Sequence, residues 1–170
     1  TFTKTSNNGW YVSGQTSYKK FGDFNSPDYI LTNTGSESRA FSLFTGRKEF
    51  EQGYEFYYSY LKNKIGILRS SHIGNVEDLV DGINSNQPRI IDPFSYDISA
   101  PRQEVTHQIF KGKYFKRFKE LGKLDIQYDY QNNHRFEFDI RRGDDRNVAA
   151  IDLKLQSHTL KSTLQLDSKT

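Results

Sequence analysis

The chain has 170 residues, with 24 basic and 21 acidic side chains for a net charge of +3, and 34% of its residues are hydrophobic. It has no cysteine and no methionine, which excludes disulfides, thiolate nucleophiles and cysteine-based zinc sites. No apolar run reaches the ~18 residues of a helical membrane span, and the spread of charge along the chain speaks against a nucleic-acid partner. The densest basic stretch, Lys111 to Lys119, is interleaved with Tyr114, Phe115 and Phe118 and lies in a strand pattern. A chain that begins at Thr1 without methionine is expected to be a processed product or an internal piece.

The first alternating run, 10–20, sets Trp10, Val12 and Tyr18 against Ser13, Gln15, Ser17 and Lys19. A less regular run follows at 38–48. In 54–65 an aromatic row (Tyr54, Phe56, Tyr58, Tyr60) opposes Glu55, Ser59 and Asn63. The run at 104–118 has an apolar phase that slips between Ile109 and Phe110. In 123–135, Leu124, Ile126, Tyr128 and Tyr130 alternate with Asp125, Gln127 and Asp129. Two runs close the chain: 148–156, with Ala149, Ile151, Leu153 and Leu155 apolar, and 159–168, with Leu160, Leu164 and Leu166. Alternation of this kind predicts strands with one greasy and one wet face. Most runs are close to the ~9–11 residues of a tilted membrane strand, rather than the ~5–6 typical of globular sheets.

The connections alternate in length: long (21–37), short (49–53), very long (66–103), short (119–122), medium (136–147) and very short (157–158). Up-and-down barrels of outer membranes place short turns at one rim and long loops at the other. Within 66–103, Val76, Leu79, Val80 and Ile83 follow helical spacing after Asn75, a plausible N-cap, with Glu77 and Asp78 in the first turn. Pro88, Pro93 and Pro101 then mark an extended return path. The expected fold is all-β: a single segment, 1–170, of an antiparallel up-and-down transmembrane β-barrel, with about seven strands and long extracellular loops, one carrying a short helix. A soluble β-sandwich or small soluble barrel is the competing architecture.

Four stretches carry a family resemblance: GDFNSPDYILTNTG (22–35), GILRSSHIGNVEDLVDGIN (66–84), FSYDISAPRQEVTHQ (94–108) and QNNHRFEFDIRRG (131–143). They resemble the barrel domain of TonB-dependent receptors of the Bacteroidetes type. The resemblance implies a plugged barrel of about 22 strands in the bacterial outer membrane. Such a receptor is not an enzyme and needs no cofactor. It binds a scarce nutrient outside the cell, commonly an iron chelate, and imports it with energy relayed by TonB. The implied partners are the remainder of the barrel and its plug domain, TonB through an N-terminal part absent from this sequence, outer-membrane lipids, a small nutrient ligand and a surface lipoprotein. Seven strands supply only about a third of such a wall.

The candidate ligand-binding residues are polar side chains in or beside the expected extracellular loops: His72, Asn75, His134, Arg135, Arg141 and Arg142. No pair of histidines has the i, i+4 spacing of a metal site; His107 and His158 are expected at lumen or rim positions, and no metal or catalytic residues are assigned. An arginine cluster (Arg135, Arg141, Arg142, Arg146) could hold an anionic ligand through its planar forks. The favoured alternative is that it pairs with Glu137, Asp139, Asp144 and Asp145, or meets anionic lipopolysaccharide. Trp10, Tyr11, Tyr54, Tyr114 and Phe118, near strand ends, suit interfacial aromatic girdles. Two further functions compete: a secreted soluble β-domain binding carbohydrate or protein, and a non-transporting barrel scaffold.

Overall fold

A computed structural model of the chain describes residues 1–71, 75–140 and 147–167. Nine strands are present among them: β1 (Phe2–Thr5), β2 (Trp10–Phe21), β3 (Phe24–Asn25), β4 (Ile30–Leu31), β5 (Ser36–Lys48), β6 (Gln52–Gly66), β7 (Arg102–Phe118), β8 (Gly122–Phe138) and β9 (Ile151–Leu166). One helix, α1 (Val76–Asn84), follows a single 3-10 turn at Arg69–Ser71. Seven strands form one antiparallel sheet in the order β1-β2-β5-β6-β7-β8-β9, and β3 with β4 makes a separate small hairpin. Each long strand pairs with its neighbour in the chain, so the sheet is an all-β meander. It is not closed into a barrel.

The length of the strands follows from what their sequences lack. All four prolines (Pro27, Pro88, Pro93 and Pro101) fall in connections, so no strand loses a ladder donor. Pairing is unbroken over Gln52↔Lys116 to Gly66↔Arg102, and over Arg102↔Phe138 to Phe118↔Gly122. Tight turns join β1 to β2, β5 to β6 and β7 to β8, all at one end of the sheet. The long connections, 22–35, 67–101 and 139–150, all leave from the other end. The expected alternation of short and long connections is therefore present.

Two expectations need correction. The turn expected at 157–158 does not exist: β9 runs straight through, with Ser157 opposite Gln131 and His158 opposite Tyr130. Neither Ser157 nor His158 supplies the positive φ that a two-residue hairpin demands, and β8 offers a full-length partner. The seventh strand of the sheet is instead β1, whose exposed FTKT sequence is too short to show a period. The phase slip expected in β7 is present between Ile109 and Phe110, and the Cα pairing with β6 and β8 continues through it without a gap.

The described residues hold almost no hydrophobic core. Ala100 and Phe115 are the buried hydrophobic side chains, joined by fully buried Pro101. The accessible surface is 12198 Å², against about 8,600 Å² for a compact protein of 19.8 kDa by the usual size scaling.

Candidate functional site

The register sorts the side chains of the sheet into two faces, because partners across a ladder share a face. One face carries Tyr54, Phe56, Tyr58 and Tyr60 on β6, meeting Tyr114 and Phe110 on β7 and, across that strand, Ile126 and Tyr130 on β8. Trp10, Val12 and Tyr18 of β2, Leu43 and Phe41 of β5, and Leu160, Leu164 and Leu166 of β9 extend the same face. These side chains are largely open to the surroundings: Tyr18 is 60% exposed and Leu160 74%. On β6, β8 and β9 the apolar stretch covers seven residues, roughly 23 Å at ~3.3 Å per residue, while on β5 and β7 it is shorter.

The upper margin of this band is tilted against the ladder. It passes through Tyr18, Phe41, Tyr60, Phe110, Tyr130 and Leu160. Phe41 lies opposite Tyr60, and Phe110 opposite Tyr130, but Tyr18 lies opposite Arg39, Tyr60 opposite Gln108, and Tyr130 opposite His158. The margin thus drops by one same-face pair at three of the five crossings, about 20 Å over about 24 Å of sheet at ~4.8 Å per strand. A level band therefore requires the strands to lean by about 40°, within the ~35–45° of membrane barrels. That lean gives a height of about 15–20 Å, below the ~25 Å of the class. Within the band the polar interruptions are small, at Thr16, Thr45 and Ser162. Charges begin at the margins, where Arg47 pairs with Glu49 and the Lys116 ammonium lies 5.5 Å from the centre of the Phe118 ring.

The opposite face is mostly polar over the same height, apart from the Tyr11–Phe44–Tyr57 cluster and buried Phe115. Glu55 accepts a hydrogen bond from the Tyr11 hydroxyl at 2.9 Å, Lys111 reaches Asp129 at 3.3 Å, and Lys123 reaches Asp125 at 2.8 Å. Toward the loop end the phase reverses. Leu61 and Ile65 of β6, Ile109 and Val105 of β7, and Leu155 and Leu153 of β9 lie on this second face. There the first face carries Arg39, Lys62, Lys64, Glu104 and His134, and only β8 keeps aromatics on it, at Phe136 and Phe138.

The loops over that end are tied together by buried polar side chains. Asn33, 3% exposed, holds a left-handed φ of 65°, which asparagine tolerates better than most residues. Its Nδ2 donates to the carbonyls of Ile67 (2.9 Å) and Pro101 (2.8 Å), and its Oδ1 accepts from the Ser99 amide at 2.9 Å. Asp23 accepts from the amides of Thr34 and Ser95, and the Thr32 hydroxyl accepts from the Asp92 amide. These three side chains staple the connection 22–35 to the return path before β7.

Helix α1 forms where the spacing predicts it. The Asn75 side chain caps it by accepting from the Asp78 amide at 2.7 Å. Arg89 bridges Asp78 (2.5 Å) and Asp81 (3.2 Å), and its hydrogen bond to Asp78 raises the guanidinium pKa further above its ordinary value. A shallow pocket of about 260 Å³ lies between the helix and this return segment, lined by Leu79, Ile83, Pro88 and Arg89 among others.

Of the six candidate ligand residues, the three that are described, Asn75, His134 and Arg135, do not gather. His72, Arg141 and Arg142, like Arg146, lie outside the described residues. Asn75 is engaged as a helix cap. His134 and Arg135 belong to β8, not to a loop, because β8 continues to Phe138 on its pairing with Arg102. As neighbours on a strand they project to opposite faces. The His134 Nε2 contacts the Asp152 carboxylate at 2.6 Å, and Arg135 pairs with Glu137, as one reading of the arginine cluster anticipates. His107 is held by Asn133 at 3.1 Å, and His158 by the Tyr128 hydroxyl at 2.8 Å. Among the described residues no three His, Asp or Glu side chains come together as a metal site.

The staple residues and the cations above the band escaped sequence reading. A signal existed for the cations, since Lys62 and Lys64 continue the two-residue period of the Tyr54–Tyr60 row. Asn33 offered only its place in a turn-rich stretch. No protein-family profile, no curated protein and no solved structure matches the chain.

Proposed function

We propose that the chain is a section of the wall of an outer-membrane β-barrel. By the resemblance of its loop stretches, that barrel is a TonB-dependent receptor importing a scarce nutrient, with an iron chelate as the first candidate cargo. The observation that carries the membrane reading is the tilted apolar band. A soluble sheet has no reason to align its exposed aromatics along a line about 40° off its own ladder, whereas strands leaning in a bilayer require it. The reversal of phase above the band fits the same geometry: below it the outer face meets lipid, above it water. The mostly polar second face suits a polar lumen, and the stapled loops would form the mouth through which a ligand arrives.

The absence of cysteine makes the test clean. Single cysteines placed along β6 from position 54 to 61 in membrane-inserted protein should alternate. Those at 56, 58 and 60 should be shielded from a water-soluble thiol reagent and quenched by a lipid-borne quencher; those at 57, 59 and 61 should behave in the opposite sense. Uniform reactivity at all positions would rule the membrane wall out. Growth of a deletion strain under iron limitation, compared with growth on other scarce nutrients, tests the cargo.

A further inference from the structure

Just above the apolar band, the outer face carries more cations than carboxylates. Arg39, Lys62, Lys64, Arg102 and Lys154 face Glu37, Glu104 and Asp152, with Lys20 at the β2 edge. Every one of those carboxylates is already engaged: Glu37 with Arg39 at 2.6 Å, Glu104 with Arg102 at 2.8 Å, and Asp152 with His134 at 2.6 Å. Lys62 and Lys64 are left with no ion pair among the described residues, although Lys64 sits directly between Glu37 and Glu104 in the ladder. The two lysines are successive same-face residues of β6, roughly 6–7 Å apart along the strand. They flank a depression of about 230 Å³ walled by Glu37, Arg39 and Glu104. Tyr60 and Phe41, paired across the ladder, lie immediately below.

Resting on the membrane-wall reading, we infer that Lys62 and Lys64 form a binding site for the phosphate of a phosphorylated lipid headgroup, with the lipid's acyl chains lying on Phe41, Tyr58 and Tyr60. Two arguments select this occupant. The site is continuous with the band, so a molecule seated on it with both an anionic head and a hydrocarbon tail is satisfied at both ends. The unpaired charge is also of one sign: a dianionic phosphate monoester can bridge two ammonium groups that the neighbouring carboxylates leave free. At the lower margin Arg47 is spent on Glu49 and Lys116 lies over Phe118, and Lys4 opposite Val12 stands singly, so no two free ammonium groups adjoin there among the described residues. The site therefore belongs to the leaflet at the loop end.

The test uses the protein inserted into vesicles of phosphatidylcholine alone, or doped with bisphosphorylated lipid A or with its dephosphorylated form. Lipid A is expected to be retained about thirtyfold more tightly when phosphorylated, as two basic residues at a membrane surface would give. The Lys62→Gln/Lys64→Gln variant should lose that preference, while Lys62→Arg/Lys64→Arg and Lys19→Gln, the last on the opposite face, should keep it. Equal retention of the two forms by inserted protein, or an unchanged preference in the double glutamine variant, overturns the inference alone. Displacement of lipid A by inorganic phosphate overturns the lipid as occupant. Failure to enter any bilayer overturns the membrane wall and this site together.

Discussion

Asn33 shows how much a single polar side chain carries at the loop end. It meets the carbonyls at both ends of the connection 67–101 and the Ser99 amide while holding φ at 65°. Asn33→Ala removes those partners and adds a left-handed penalty, for a combined loss of about 2–4 kcal/mol. Asn33→Gly removes the hydrogen bonds but keeps the backbone conformation. Hydrogen exchange of the Ser99 amide should rise in both variants, and more in the alanine one; an unchanged rate in both would show that the staple is dispensable. Gly122 is a second such point. Its φ is 117°, and a Cβ there would lie 1.9 Å from the Gln165 carbonyl oxygen. Gly122→Ala should therefore open the β8–β9 ladder at its turn end, read as faster exchange at Lys123 and Gln165 with the loop end untouched.

Among the elements, β6 states the two-environment pattern most plainly. Tyr54 to Tyr60 place aromatics on one face, and from Leu61 to Ile65 the apolar side chains move to the other. β7 makes the same change at Ile109–Phe110, and β9 makes it between Leu155 and Leu160. An unbroken strand can change its greasy face only if the surroundings of both faces change with height. A charge should thus be costly on one face and cheap on its neighbour. Tyr58→Arg should cost about 2–4 kcal/mol in a bilayer and Ser59→Arg under about 1 kcal/mol, measured as denaturant stability of the inserted protein. Equal costs would mean that the two faces see the same medium. In β9 the reversal misled sequence reading, since two runs in opposite phase look like two strands with a turn between them.

At the scale of the molecule, the dominant fact is the missing core. A sheet with about 3,600 Å² more surface than a compact protein of its mass cannot stabilise itself by burying apolar side chains within its own described residues. Both outer strands, β1 and β9, also present an unpaired edge, and every residue of β9 is exposed. Exposed edges beside apolar patches invite association. In plain buffer the 170-residue chain should sediment as aggregates and resolve only in detergent. A monodisperse folded monomer without detergent would instead favour a soluble β-domain.

The five long strands β2, β5, β6, β7 and β8, the helix with its Asn75 cap, and the one-sided placement of long connections were legible in the residues, because each depends on local periods, caps and breakers. Pairing was not local. Only the ladder placed His134 and Arg135 on opposite faces of one strand, joined residues 151–166 into a single β9, and found a partner for the FTKT strand. The same is true of the tilted band and of the unpaired Lys62 and Lys64 above it. Periodicity along one strand says which residues share a face, but it cannot say how the faces of neighbouring strands are offset, and that offset is what turns rows of aromatics into a surface with a direction.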